Sequence, residues 1–163
     1  MNVNHTILKV SFISLLLLTS CSKMPWCWGE DKNEGLIVES YSMKDFPVCV
    51  ERYVQENGTL IVSSEEELQM IIDSTCKNMP QAGYSETPPP IDFEEYSLLG
   101  QWATGQCETK FLREVVKDEE NKTITYHIKV RDCGTCKKER YDANLVTISK
   151  IPVDYHIEFD IDN

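Results

Sequence analysis

Apolar positions along this chain follow three patterns: one nearly continuous run near the N-terminus, one helical period, and several alternating stretches. The run is Val10–Leu18, broken only by Ser11 and Ser14. The helical period lies near residues 64–76, where Leu68, Ile71, Ile72 and Thr75 fall on one face. Ser63 and Ser64 precede it, and Ser63/Glu66 and Ser64/Glu67 both have the reciprocal capping spacing. Glu65, Glu66 and Glu67 complement the helix dipole, so the segment reads as a core helix with a solvated first turn.

Elsewhere the period is two. Leu36–Glu39, Phe46–Gln55 and Thr59–Val62 read as strands, with Asn57-Gly58 as the turn before the third. Residues 78–90 hold four of the seven prolines and form an irregular connection ahead of a strand over Ser97–Trp102. Cys107–Lys117 and Thr123–Cys133 flank the polar turn Asp118-Glu119-Glu120-Asn121-Lys122, as a long hairpin would. A register that sets Leu112 opposite Ile128 and Val116 opposite Ile124 gives one apolar face, and sets Cys107 opposite Cys133. Asn144–Ile151 and Val153–Ile161 supply two more strands, split by Pro152. In the last, Val153, Tyr155, Ile157, Phe159 and Ile161 alternate with polar residues, which predicts a half-buried antiparallel strand with an acidic solvent face. The sum is an α+β domain, mostly antiparallel sheet or sandwich, with one helix near residues 64–76.

The N-terminal run is too short to span a bilayer, which takes about 20 residues, but has the length of a secretory signal core. Leu18-Thr19-Ser20-Cys21 closes it. This arrangement resembles the lipobox of bacterial lipoproteins. The resemblance implies that residues 1–20 are a signal peptide and that Cys21 becomes the lipidated N-terminus. It also implies a membrane anchor held by several acyl chains at about 0.8 kcal/mol per buried CH2. Ser22 after the cysteine, by analogy with Gram-negative lipoproteins, directs the protein to the outer membrane. An ordinary signal peptide cut near Ser20 is the alternative, and would make Asn57 and Asn121 glycosylation acceptors. Residues 21–34 then read as a tether and 35–163 as a single β-rich domain. Trp26 and Trp28 in the tether either pack on the domain, pinned by a Cys27 disulfide, or rest at the lipid interface.

Charge excludes partners rather than naming them. Removing residues 1–20 takes away Lys9 alone, so a net charge of −11 becomes −12. Such acidity disfavours nucleic acid and adhesion to an anionic surface. Of seven cysteines, setting Cys21 apart leaves Cys27, Cys49, Cys76, Cys107, Cys133 and Cys136, an even set that in an exported chain suggests disulfides. Cys133-Gly134-Thr135-Cys136 is the one motif with a reactive reading, since Lys137, Lys138 and Arg140 could stabilise a thiolate. It lacks the strand-to-helix context of thioredoxin-like pairs, and the structural reading joins Cys133 or Cys136 to Cys107. His127 and His156 sit on polar strand faces without further ligand-spaced partners, so no metal or other cofactor is expected. No catalytic set is recognisable.

Pro90-Ile91-Asp92-Phe93-Glu94-Glu95-Tyr96-Ser97-Leu98-Leu99-Gly100 is similar to a stretch of small Bacteroidota lipoproteins, where it precedes a hairpin and a final Lys-x-Pro strand. Ser149-Lys150-Ile151-Pro152-Val153-Asp154-Tyr155 echoes that strand. Those domains in turn resemble the β-rich domain of the protease-complex subunit PrcB, over roughly residues 60–160. The resemblance implies no catalytic residues and one further role, as regulatory partner of an envelope protease. The leading expectation is a lipid-anchored envelope protein that binds a protein or glycan partner or serves structurally. A thiol–disulfide protein using Cys133 and Cys136 is the alternative.

Overall fold

The computed structural model describes Cys27 and residues 29–76, 85–134 and 137–162. The described residues form a β-rich α+β domain of ten strands and two α-helices. The outer sheet contains β1 (Lys32–Gly35), β6 (Lys110–Asp118), β7 (Thr123–Arg131) and β10 (His156–Asp162), in the order β1-β6-β7-β10. The central sheet contains β2 (Ile37–Tyr41), β3 (Thr59–Val62), β4 (Tyr96–Gln101) and β9 (Leu145–Ser149), in the order β2-β9-β4-β3. A two-stranded ribbon, β5 (Ala103–Gln106) with β8 (Glu139–Asp142), extends the fold at one end.

The two middle strands of the central sheet are buried on both faces: all of β4 except Tyr96 and all of β9 except Ser149 are buried, polar Ser97, Gln101 and Thr147 included. On one face Leu60, Val62, Leu98 and Leu145 pack with Phe46, Val50, Val54 and Leu68 of the helical layer. On the other, Leu99, Val146 and Ile148 meet Phe111, Val115, Tyr126 and Ile128 of the outer sheet. The result is three layers: outer sheet, central sheet, helices.

Helix α2 (Glu65–Thr75) occupies the predicted segment, and the Ser64 side chain accepts from the Glu67 amide as its cap. The segment read as a strand over Phe46–Gln55 is instead helix α1 (Val48–Asn57). Its Val-rich opening favours β locally, but Phe46, Cys49, Val50 and Val54 are all fully buried at helical spacing. Pro47 precedes the first turn and Gly58, at φ 81°, ends the helix by donating its amide to Val54 O at 2.7 Å. Burial of that face outweighs strand propensity.

Four further differences concern pairing. The hairpin exists, but in a register one residue away: Arg113 opposes Ile128 and Val115 opposes Tyr126, while Leu112 faces Lys129 and Val116 faces Thr125. Phe111, Arg113 and Val115 therefore point inward, and Val116 is half exposed on the outer face. Cys107 lies before β6, and Cys133 is bonded elsewhere, so the expected Cys107–Cys133 bridge does not form. Strand β10 does alternate between half-buried and exposed residues, but it runs parallel to β7, not antiparallel. Finally, the stretch read as a tether up to residue 34 supplies most of β1, which pairs parallel with β6 from Lys32↔Leu112 to Gly35↔Val115.

Candidate functional site

Two features concentrate chemistry in this fold: the disulfides and a charged cleft beside one of them. Cys49 is joined to Cys76, tying the start of α1 to the residue after α2. Cys27 is joined to Cys133 with the Cα atoms 5.4 Å apart, tying the chain just ahead of β1 to the loop that leaves β7. Cys107 is also in the disulfide form. Cys133 is therefore engaged by Cys27, not by Cys107 and not by Cys136. Cys21 and Cys136, with Trp26 and Trp28, lie outside the described residues.

The bridge from Cys27 holds residues 29–35 as a strap across the inward-facing edge of β6. All four residues of β1 are exposed, so apolar burial contributes little to its docking. Polar contacts do the work instead. The Asp31 carboxylate accepts from the Phe111 amide at 3.1 Å and from Arg113 at 3.3 Å. It also receives Arg140 Nη2 at 2.7 Å. Asn33 Oδ1 accepts from Arg113 at 3.4 Å. Gly35 is required where the strap crosses: a Cβ there would sit 2.1 Å from Val115 O, and its φ is +74°.

Arg113 is the buried centre of this cluster, only 6 % exposed although its neighbours on the same face are Phe111 and Val115. Its Nε donates to Asn144 Oδ1 at 2.7 Å. Asn144 adopts a left-handed backbone conformation (φ 45°) between β8 and β9, and its own amides reach Gln101 O, Asp142 O and Asp142 Oδ1. Tyr126 donates its hydroxyl hydrogen to Asn144 O at 2.7 Å. Arg113 and Arg140 both lie 3.9 Å from Asp142, and the Arg140 guanidinium stands 4.8 Å from the Phe111 ring centroid. Arg140 also donates to Thr109 O. Two arginines and two aspartates thus neutralise one another where the strap, β6 and β8 meet.

The two carboxylates differ electrostatically. Burial raises Asp142 above its ordinary value, and Asp31 adds to that rise, against the Asn144 amide and the two arginines. Burial also opposes ionisation of Asp31, but the Arg140 hydrogen bond, the Phe111 amide and both arginine charges outweigh it and hold the group low. Around this cluster opens a cleft of about 450 Å³, whose rim adds Lys110, Glu30, Ser40 and Tyr41. The Tyr41 phenol is pushed up to about 12, by burial first and then by Glu39, against a hydrogen bond with Thr147. Donors and acceptors of both signs line the cleft, so its chemistry suits a small polar molecule rather than a bare anion or cation.

His127 and His156 lie on polar faces, as expected: His127 Nδ1 is 2.8 Å from Asp160 and His156 Nε2 is 3.2 Å from Glu158. Among the described residues no cluster of histidine, cysteine and carboxylate ligands could hold a metal, and no helix is long and apolar enough to cross a membrane. Sequence reasoning missed Arg113, Asp31, Asp142 and Asn144 altogether. The available signal was Arg113 itself, a charge inside an otherwise apolar inward set once the register is read one residue over. Comparison with family models, curated proteins and solved structures finds no match to this chain.

Proposed function

We propose that the protein is a lipid-anchored envelope lipoprotein, acylated on Cys21, whose disulfide-bonded domain is a non-enzymatic binding or structural module. The observation that carries this reading is Leu18-Thr19-Ser20-Cys21 directly after the apolar run Val10–Leu18. The bonded cysteines support it, because an oxidised framework belongs to an exporting, oxidising compartment. With Cys27–Cys133 and Cys49–Cys76 formed and Cys107 oxidised, Cys136 is the cysteine left to complete the set once Cys21 carries lipid. The cleft around Arg113 and Arg140 is the place in the domain where a small polar ligand or a polar segment of a partner would seat. The outer membrane is the destination favoured by Ser22.

Intact mass and a non-reducing disulfide map on protein purified from its native membrane test the proposal. Acyl mass on a chain beginning at Cys21, lost together with membrane retention in Cys21→Ser, is the expected result. An unmodified N-terminus overturns it. A Cys133–Cys136 bridge that mild thiol opens without unfolding would transfer the reading to thiol–disulfide exchange.

A further inference from the structure

The Cys27–Cys133 bridge has a geometric consequence if Cys21 carries the lipid, and the inference below rests on that reading. Cys27 is the sixth residue after Cys21, so the lipidated residue and the bridge are at most about 22 Å apart at 3.6 Å per residue. Without the bridge the strap is fastened only by its edge pairing with β6 and by the polar contacts of Asp31 and Asn33, with no apolar burial behind them, so it can open and lengthen the tether. With it, the domain is held by its Cys133 end. Strands β6 and β7, nine residues each, run away from that end, so the hairpin turn 118–122 lies roughly 30 Å further off.

Charge is arranged in the same sense. Residues 131–140 hold Arg131, Lys137, Lys138 and Arg140 against two acids, Asp132 and Glu139. The hairpin turn holds Asp118, Glu119 and Glu120 against Lys122, and Asp154 stands 3.6 Å from that lysine. Adding Glu30, Asp31, Glu108 and Lys110 brings the bridge end to balance, and Lys32, Arg113 and Lys129 against Asp142, Asp160 and Asp162 leave it there, in a chain whose net charge is −11. The end that the tether draws toward an anionic surface is the one that this surface repels least.

We infer that the bridge fixes the orientation of the domain on its membrane: the end carrying Cys133, the strap and the charged cleft faces the headgroup layer, and the 118–122 turn points away. The cleft then opens beside the bilayer that anchors the protein, and a soluble partner meets the turn first.

The test uses the full lipidated chain, reconstituted into phosphatidylethanolamine–phosphatidylglycerol vesicles that carry an energy-transfer acceptor on a headgroup. A donor dye is attached through a clickable amino acid placed at Lys137 in one protein and at Glu120 in another, both exposed positions. Given the roughly 30 Å difference in height, transfer from 137 exceeds transfer from 120 by about twofold or more. In Cys27→Ser/Cys133→Ser the ratio falls toward one while acylation and vesicle flotation persist. Should that variant fail to fold, inserting about 20 Gly/Ser residues after Ser22 in the bridged protein lengthens the tether and lowers the ratio in the same way. Equal transfer from the two sites in the bridged, acylated protein overturns the orientation and leaves the anchor standing. Absent acyl mass and failed flotation overturn the anchor, and the orientation with it.

Discussion

The Cys49–Cys76 and Cys27–Cys133 disulfides close the same kind of bond in opposite surroundings. Cys49 is fully buried, and Phe46, Val50, Val54 and Leu68 pack around the helices that its bridge to Cys76 joins. Those helices would meet without it, because their apolar faces have nowhere else to go. Cys27, by contrast, fastens a strap whose strand is exposed throughout and whose contacts are charged or polar. In the chain-entropy picture, bridging residues 27 apart stabilises by about 3.6 kcal/mol and bridging residues 106 apart by about 4.8. The similar figures hide different roles. One bond reinforces packing already present, and the other substitutes for packing that the strap lacks.

Arg113 offers the largest break in that comparison. Truncation in Arg113→Ala takes from Asp31 and Asp142, side chains 18 % and 14 % exposed, the more buried of the two arginines they share, and leaves Asn144 Oδ1 without its Nε donor. A loss of about 3–5 kcal/mol in urea unfolding is expected; a loss under about 1 kcal/mol would mean the cluster is solvated and the strap is held otherwise. Removing the bridge in Cys27→Ser/Cys133→Ser comes next. Much of its effect is local, so amide exchange in β1 and at the Phe111 amide should accelerate far more than in α1 or β4, with a global loss of about 2–4 kcal/mol. Uniform acceleration across the domain would count against a separable strap. Gly35→Ala is smaller, about 1–3 kcal/mol, because its left-handed backbone and the 2.1 Å approach to Val115 O admit no Cβ. Strap amides should respond first here too, and an unchanged exchange pattern would show that the crossing at Val115 is not tight.

The same contrast explains what could be read from sequence. Thr59–Val62, the helix over Glu65–Thr75 and the strand positions of β4, β7 and β9 were legible because apolar burial enforces a period. Helix α1 was not, since Val48-Cys49-Val50 satisfies strand propensity, and only Pro47 and Gly58 at its two ends mark a helix. The hairpin register failed at Phe111-Leu112-Arg113-Glu114-Val115-Val116, which carries apolar residues in both phases. Choosing the phase with Leu112 and Val116 hides the buried arginine, and a one-residue slip exchanges the two faces entirely. The strap was illegible for the opposite reason. Lys32-Asn33-Glu34-Gly35 has no apolar signature, because a bond at Cys27 and charges at Asp31 hold it.

The smallest effect, and the one that sharpens the comparison most, is the pH dependence of the two carboxylates. Asp142 has a raised folded value, so between its ordinary 3.8 and that value the folded state binds the extra proton. Its contribution to stability therefore declines as pH rises through this window and levels off above it. Asp31 is depressed below 3.8, so its contribution is complete above 3.8 and is lost as pH falls through the folded value. Asp118, Glu119 and Asp132 are also held low by local hydrogen bonds, so the acid limb of the whole protein does not isolate the cluster. Difference curves do. Asp142→Asn, which keeps an acceptor for the Asn144 amide, should gain most over the parent above the Asp142 window and little near pH 3.8. Asp31→Asn should lose most at neutral pH and converge on the parent in acid, and only this variant should also speed exchange of the strap amides. Melting temperature against pH for the three proteins checks both. Parallel curves would mean that neither carboxylate changes environment on folding, and that the bridge at Cys27 alone holds the strap.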